Sequence, residues 1–470
     1  MLFNSFIFLH FLAFVLAVYW LLHKKVSWQN IFLLVTSYVF YGWWNWKFLS
    51  LIAISTVVDY FIGRQLEDKK DPKIRKRLVT LSVMVNLGIL GVFKYFNFFA
   101  SSFIEFLGMF GMSASPLTLN ILLPVGISFY TFQTLSYSID IYRGKLKSTR
   151  NFIDFALFVS FFPQLVAGPI ERAVNLLPQI ANPRKFNSSQ WMAGVFLIVW
   201  GLFKKVVIAD NMALIADEIF NNHGNYQGLE LLVGVLAFTF QIYGDFSGYS
   251  DIARGVAKLL GFELMLNFKL PYFAVSPSDF WQRWHISLSS WLRDYLYIPL
   301  GGNRAGNFGT YRNLSLTMLL GGLWHGAAWN FVIWGAFHGF ILVVYRLFDG
   351  GKDDREGSAS FILMLPKVLL MFGFTMIGWL IFRAESVTQI IYFFKNAGLS
   401  IKASNLHYLT TVLYYTVPLM VFQAIQQYKK DLLFVIKLPM IAQVLFICFL
   451  IAMMLIVGVR ESSEFIYFQF

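Results

Sequence analysis

A tryptophan–histidine motif in an apolar segment contains the residues best suited to chemistry. Trp324 and His325 are followed by Trp329, and His338 closes the stretch, which is otherwise hydrophobic enough to lie in a membrane. An ionisable imidazole is costly in a low-dielectric slab, so an intramembrane histidine indicates a functional site. The neighbouring glycines and alanines would let another backbone or a substrate approach closely. The alternative is that His325 only forms a hydrogen bond between helices.

Histidine can remove a proton from a hydroxyl near neutral pH, which makes His325 a candidate general base. Burial should keep its ring neutral, the form that a base requires. On one continuous helix, Trp329 would lie one turn beyond His325 on the same face. His338 would lie about 220° around that helix, so the two histidines could not bind one metal ion together. With no HExxH motif and no closely spaced histidine pair either, we expect no metal site. A GxSxG elbow and a Walker-type loop are also absent from the sequence.

The segment Ser276–Arg304 is a second concentration of polar residues. Ser276 followed by Pro277 predicts a helix start, with the serine as N-cap and the proline at the first helical position. The spacing of aromatic residues from Phe280 to Tyr295 predicts one continuous amphipathic helix. Such a helix would lie at the membrane surface or enter and leave on one side.

Four ionisable side chains of this segment are candidate site residues. Asp279 and His285 could support the chemistry, and Arg283 and Arg293 could bind a phosphate-bearing donor. The alternative for both arginines is that they extend to lipid headgroups.

Composition identifies the class of protein. The chain of 470 residues is 57% hydrophobic and 13% charged, whereas soluble domains carry about 25% charged residues. Apolar windows of about 20 residues recur from end to end, which predicts an all-α polytopic membrane protein. The net charge of +13 resides in short loops rather than on one face, which favours cytoplasmic loops over nucleic-acid binding. Residues 67–77 and 143–150 should face the cytoplasm, and 211–228 the outside.

We expect a single integral-membrane domain over residues 1–470. It would comprise N-terminal spans (1–115), a core with re-entrant elements (116–345) and C-terminal spans that act as scaffold (346–470, with a hydrophilic loop at 352–356). The first spans should lie near residues 6–22 (a retained span), 31–46 and 49–62, and the apolar stretch 98–112 should lie at the membrane interface. The polar segments 128–143, 168–172 and 243–254 should face protein or a wet cavity rather than lipid. Cys448 is the only cysteine, so an intramolecular disulfide is impossible.

Several motifs together resemble one enzyme family. Trp324-His325 in an apolar helix, with Trp334 and His338-Gly339 after it, resembles the hallmark of membrane-bound O-acyltransferases. Further segments are similar to the branch that O-acetylates bacterial polysaccharides such as alginate and peptidoglycan. These segments are residues 41–44, 124–133, 162–170, 245–251 and 280–289.

The resemblance implies a helical bundle with re-entrant helices around a central funnel that narrows at the catalytic residue, His325. It gives His285 and Asp279 supporting roles, with Trp324 and Trp329 beside them; His338 would be a helper or form a structural hydrogen bond. It further implies a bacterial inner-membrane enzyme in contact with lipid, with no bound cofactor and with acetyl-CoA as a cytoplasmic donor. An external partner of the SGNH serine-hydrolase type would place the acetyl group on a polysaccharide.

Two other functions stay open. The same family could transfer D-alanine to teichoic acid or a fatty acyl chain to a protein. A secondary transporter could also line a path with embedded polar residues, although the sequence lacks the internal repeats that transporters often show.

Overall fold

The computed structural model describes residues 1–112, 119, 122–304, 306–349, 361–400, 403–459 and 465–466. Within these ranges the regular structure is helical, and the only extended pairing is an isolated bridge between Gly228 and Ala397. The predicted all-α architecture is therefore confirmed. The loop predicted at 352–356 lies outside the described residues.

The first half of the chain forms eleven α-helices in the described ranges. They are α1 (Phe6–Leu21), α2 (Val26–Asn45), α3 (Leu49–Asp68), α4 (Pro72–Leu90), α5 (Phe96–Gly108), α6 (Ile127–Tyr142), α7 (Phe152–Ser160), α8 (Phe162–Leu165), α9 (Ala173–Ala181), α10 (Ser188–Phe203) and α11 (Asp210–Asn221). Turns of π-helix at Gly91–Tyr95 and Lys204–Ala209 join α4 to α5 and α10 to α11.

The second half adds nine described helices. They are α12 (Leu229–Leu259), α13 (Pro277–Trp281), α14 (Ile286–Leu292), α15 (Gly306–His325), α16 (Trp329–Asp349), α17 (Phe361–Arg383), α18 (Val387–Asn396), α19 (Ala403–Lys429) and α20 (Met440–Val457). A π-helical turn at Arg293–Tyr297 follows α14.

Eight helical stretches of the described chain are long and apolar enough to cross a membrane, which makes this a multi-pass membrane protein. They differ from the predicted spans in two places. The predicted spans 31–46 and 49–62 belong to one helical stretch, Val26–Asp68, and the stretch 98–112 predicted at the interface continues the helix of Pro72–Gly108. Helix α1 is apolar, but at 16 residues it is shorter than a typical membrane span.

The chain divides into two compact units: unit 1 comprises residues 1–195 and 253–265, and unit 2 comprises 196–252 and 266–470. In unit 1, α6 is buried along almost its whole length, as its polar residues predicted. Six buried side chains of α3, α4 and α6 form what we call the Asp59 network. Its members are Ser55, Asp59, Ser82, Asn86, Thr134 and Ser138.

Each of the three helices contributes an i, i+4 pair to the Asp59 network, so the pairs face one another across the packed helices. The Asp59 carboxylate accepts hydrogen bonds from Ser82 Oγ (2.5 Å), Ser138 Oγ (2.7 Å) and Asn86 Nδ2 (2.6 Å). The amide oxygen of Asn86 accepts from the hydroxyls of the other two members, Ser55 and Thr134.

In unit 2, α15 and α16 pack closely as a hairpin. A Cβ atom added at Gly335 would lie 2.5 Å from the carbonyl oxygen of Met318, and one added at Gly339 would lie 3.2 Å from Ser315 Cα. The predicted role of these small residues, to let another backbone approach, is confirmed. The motif from Trp324 to His338 does not form one continuous helix, because α15 ends at His325 and α16 begins at Trp329.

The segment after Ser276 also differs from its prediction. Ser276 caps α13 as expected, since its hydroxyl accepts a hydrogen bond from the Asp279 N–H at 3.1 Å. The continuous helix predicted from Phe280 to Tyr295 is wrong, because α13 ends at Trp281 and α14 begins at Ile286. Between them His285 adopts a left-handed backbone conformation with φ 43°, which no α-helix accommodates.

Candidate functional site

A pocket of about 470 Å³ in unit 2 has His325 in its wall. The pocket is formed by α13, α14, the π-helical turn after α14, and the hairpin of α15 and α16. Most of its polar lining comes from residues that lie between His285 and His325 in the sequence. These polar residues are Ser278, Gln282, Ser289, Ser290, Arg293, Tyr297 and Thr317.

One face of α15 runs along the pocket. Leu314, Thr317, Met318, Gly321 and His325 all line it, at the spacing of one helical face. With a rise of 1.5 Å per residue, Leu314 to His325 spans about 16 Å. His325 therefore lies at one end of a pocket long enough to hold a much larger group than an acetyl.

Aromatic rings surround His325, which is buried with 6% of its surface exposed. Its ring centroid lies 5.0 Å from Trp324, 5.0 Å from Trp334 and 5.5 Å from Phe382, each approached edge-on. His285 is the second histidine here, at 6.4 Å. We call these five side chains the His325 cluster. They form a low-dielectric wall, which strengthens electrostatic interactions with a reacting group.

His285 caps α14 and is completely buried. Its ring contacts Phe246 of α12 at 4.7 Å and Trp324 at 5.8 Å. Burial lowers the pKa of His285 to about 3, which keeps the imidazole neutral at physiological pH. Among the described residues, no group of three or more His, Cys, Asp or Glu side chains is arranged to hold a metal ion.

Ion pairs in unit 2 hold α12, which carries Phe246. Lys204 Nζ lies 2.7 Å from the Asp251 carboxylate, and Lys205 bridges Asp210 at 2.9 Å and Asp245 at 2.8 Å. Asp251 thus has a lysine partner from another segment of the chain.

The remaining motif residues differ in their placement. Trp324 is buried beside both histidines. His338 lies one layer further out, its ring 4.6 Å from Trp334 and 5.1 Å from Trp281. Trp329 was expected on the face of His325, but the helix break between them leaves its side chain 55% exposed, outside that buried environment.

Asp279 and Arg283 form an ion pair with each other. Arg283 Nε donates to Asp279 Oδ1 at 2.8 Å, and Asp279 Oδ2 accepts the Val275 N–H. Arg293 lines the pocket and pairs with the adjacent Asp294 at 2.7 Å, with 62% of its side chain exposed. Of the two arginines, Arg293 is therefore the one that a ligand in the pocket can reach.

Two contributors to the site were not predicted. Trp281 lines the pocket near His325 and lies in a motif that the sequence did single out. Phe382 belongs to α17, a helix interpreted from the sequence as scaffold, and nothing in its apolar surroundings distinguishes it. Its role emerges only because α17 packs against α16 in unit 2.

Comparisons with known proteins identify the family of this chain. Residues 5–351 match the model of the MBOAT, membrane-bound O-acyltransferase family. The chain is 47% identical over 385 residues to a Pseudomonas aeruginosa protein named "Probable alginate O-acetylase AlgI", covering 82% of this chain and 72% of the relative. A peptidoglycan O-acetyltransferase of Helicobacter pylori is 37% identical over 401 residues, 79% of this chain and 74% of the relative.

A more distant relative acts on another polymer. A teichoic acid D-alanyltransferase of Streptococcus thermophilus is 30% identical over 312 residues, which is 61% of this chain and 75% of the relative. The family match, the eight apolar spans and the buried histidine at the end of a pocket lead to one conclusion. The chain belongs to the membrane-bound O-acyltransferase family and is a multi-pass membrane enzyme of acyl transfer to hydroxyls.

Proposed function

We propose that this enzyme moves acetyl groups from a cytoplasmic thioester donor, acetyl-CoA, for O-acetylation of an exported polysaccharide. The observation that carries the proposal is the position of His325, buried among aromatic rings at one end of a pocket about 16 Å long. Relatives named for O-acetylation of alginate and peptidoglycan support the acetyl group and the polysaccharide.

His325 acts as the general base. The oxygen of an acceptor hydroxyl attacks the thioester carbonyl carbon while His325 takes the hydroxyl proton. The C–S bond then breaks, and the departing thiolate takes that proton back from the imidazolium, which restores the neutral ring. The aromatic wall excludes water, so the thioester is protected from hydrolysis.

The polar side of the pocket holds the donor. Arg293 supplies an exposed guanidinium for a phosphate, and the Ser289 and Ser290 hydroxyls and Gln282 amide offer hydrogen bonds along the way to His325. Arg283 contributes less, because it does not line the pocket and only 19% of its side chain is exposed.

We further propose that the enzyme works in the bacterial inner membrane with an external partner of the SGNH type that completes transfer to the polysaccharide. Basic loops at 67–77 and 143–150 support a cytoplasmic position for those segments. Cysteine labelling in a variant lacking Cys448 tests this orientation; modification of both loops from outside intact cells would contradict it.

The acyl group itself is tested by its release. Surface polysaccharide from cells with and without this enzyme is treated with mild alkali, and the released acids are identified by mass spectrometry. We expect acetate to depend on the enzyme. Enzyme-dependent release of D-alanine instead would favour the activity named for the more distant relative.

A further inference from the structure

The turn that carries His285 is held by a short backbone pairing within unit 2. The Lys269 N–H donates to the Arg283 carbonyl at 2.9 Å, and the Ile286 N–H donates to the Asn267 carbonyl at 2.9 Å. These two hydrogen bonds flank Trp284 and His285, so the segment 267–269 fixes both ends of the turn.

Asn267 also contacts this turn through its side chain. Its Oδ1 accepts hydrogen bonds from the Ser287 hydroxyl at 2.6 Å and from the Ser287 N–H at 3.3 Å. One completely buried residue thereby accepts three hydrogen bonds from the two residues that follow His285.

Those two backbone N–H groups are the first donors of α14, which an α-helix leaves without an internal partner. An N-cap side chain such as Ser, Thr, Asp or Asn ordinarily accepts from the N–H of the second or third helical residue, and Ser287 is the second residue of α14. His285 occupies the N-cap of α14, but its side chain makes no capping hydrogen bond. Asn267 supplies from another segment what the N-cap residue does not.

We propose that Asn267 is the positioning residue of His285, because it caps α14 from outside and lets a histidine occupy the N-cap. A left-handed conformation is unfavourable for residues other than glycine and persists only where the surroundings enforce it. Here it directs the His285 ring to within 4.7 Å of Phe246 and 6.4 Å of His325. The inference rests on the proposed function, in which these histidines serve acyl transfer.

The chemistry of the Asn267 side chain makes the inference testable by near-isosteric changes. Only its oxygen is used: Nδ2 is buried and has no hydrogen-bond partner in the described part of the chain. Asn267→Leu keeps the approximate volume and removes the acceptor. Asn267→Asp keeps an acceptor oxygen for Ser287 and should restore most of the activity lost in the leucine variant.

The test measures acetylation per molecule of inserted protein. We expect Asn267→Leu to lose about 10- to 100-fold, since misplacing a catalytic constellation by about 1 Å can cost 100-fold. The same change in a His285→Ala background should cost little more, because a residue that acts through His285 has nothing left to position. Equal losses in both backgrounds would overturn the proposal.

Gln389→Leu is the matched control. Gln389 is a buried amide that accepts the Glu385 N–H at 2.8 Å and donates to the Phe220 carbonyl at 2.7 Å; its Nε2 also lies 3.1 Å from Nδ1 of His223, a histidine outside the His325 cluster. Its loss should lower abundance without lowering activity per inserted molecule.

A second measurement keeps the test decisive if His285→Ala is too weak to assay. A cryo-EM structure of Asn267→Leu should show His285 out of the left-handed region, and an unchanged turn would overturn the proposal. Full activity of both His285→Ala and His325→Ala would instead refute the proposed function. Inactive histidine variants beside a fully active Asn267→Leu would refute the positioning role alone.

Discussion

In unit 1, α3, α4 and α6 surround Asp59 with hydroxyl and amide groups, whereas in unit 2 the buried histidines lie among tryptophan and phenylalanine rings. All six side chains of the Asp59 network have hydrogen-bond partners. Around the pocket, the ring N–H groups of Trp281 and Trp334 and the Nδ1 of His338 are buried without a partner in the described chain.

The contrast separates stability from chemistry. A fully satisfied polar network stiffens a protein, while buried polar atoms that lack partners are costly and need an explanation such as a ligand or water. We therefore assign the Asp59 network to holding three helices together, and the His325 cluster to a substrate. Four changes test that assignment.

His325→Ala should have the largest effect. We expect the protein to remain folded and inserted while acetylation per molecule falls by at least about 10²–10⁴-fold, the usual contribution of a general base. His338→Ala should lose less, since its ring lies one layer further from the pocket. Near-normal activity of His325→Ala on this scale would place both regions in the structural class.

Asp59→Leu should act in the opposite way. It leaves the donors of Ser82, Ser138 and Asn86 without their acceptor, so we expect a loss of stability of roughly 3 kcal/mol. Membrane abundance should fall while the surviving molecules stay active. Asp59→Asn should lose less, because its amide oxygen still accepts from the serines. A normally abundant but inactive Asp59→Leu would break the comparison.

Arg293→Gln should have a moderate effect on the donor side of the pocket. In inverted membrane vesicles, the acetyl-CoA concentration needed for half-maximal activity should rise about two- to fivefold, as for a largely exposed charge. Arg283→Gln is the matched comparison and should change that concentration less, because Arg283 does not line the pocket and is mostly buried. The reverse order would place the donor beside Arg283.

Glu171 of unit 1 lies between the two extremes. Its Oε1 accepts the Met265 N–H, while its Oε2 has no hydrogen-bond partner in the described ranges. Burial raises the pKa of Glu171 from 4.5 to about 8. The folded protein thus keeps a proton that the unfolded chain releases above pH 4.5. The stabilisation that comes from this bound proton is complete below pH 4.5 and is lost as the pH rises through about 8.

Glu171→Gln should remove this dependence and have the smallest effect. The amide still accepts from Met265 but carries no titrating proton. We expect the melting temperature of the variant in detergent to match that of the wild type near pH 4.5 and to exceed it by roughly 1–3 °C at pH 8.5. If the melting temperature of the wild type instead rises relative to that of the variant as the pH increases, ionised Glu171 is stabilising.

The sequence was sufficient for features that depend on short stretches of chain. Hydropathy over about 20 residues identified a polytopic helical protein, and the Ser276-Pro277 pair identified the start of α13, because capping involves neighbours in sequence. His325 became the candidate site residue for a similar reason, since the cost of an imidazole in an apolar helix is visible in the residue and its neighbours alone; its catalytic role stays a prediction.

Other features required the packed structure, because they arise from contacts between distant segments. Periodicity predicted an unbroken helix through His285, yet the turn is held open by Asn267, which precedes it in another segment. Periodicity also placed Trp329 beside His325, whereas the break after His325 exposes it. Phe382 joins the site only because α17 packs there. Local patterns fix which residues must be buried, but tertiary packing decides which buried residues meet.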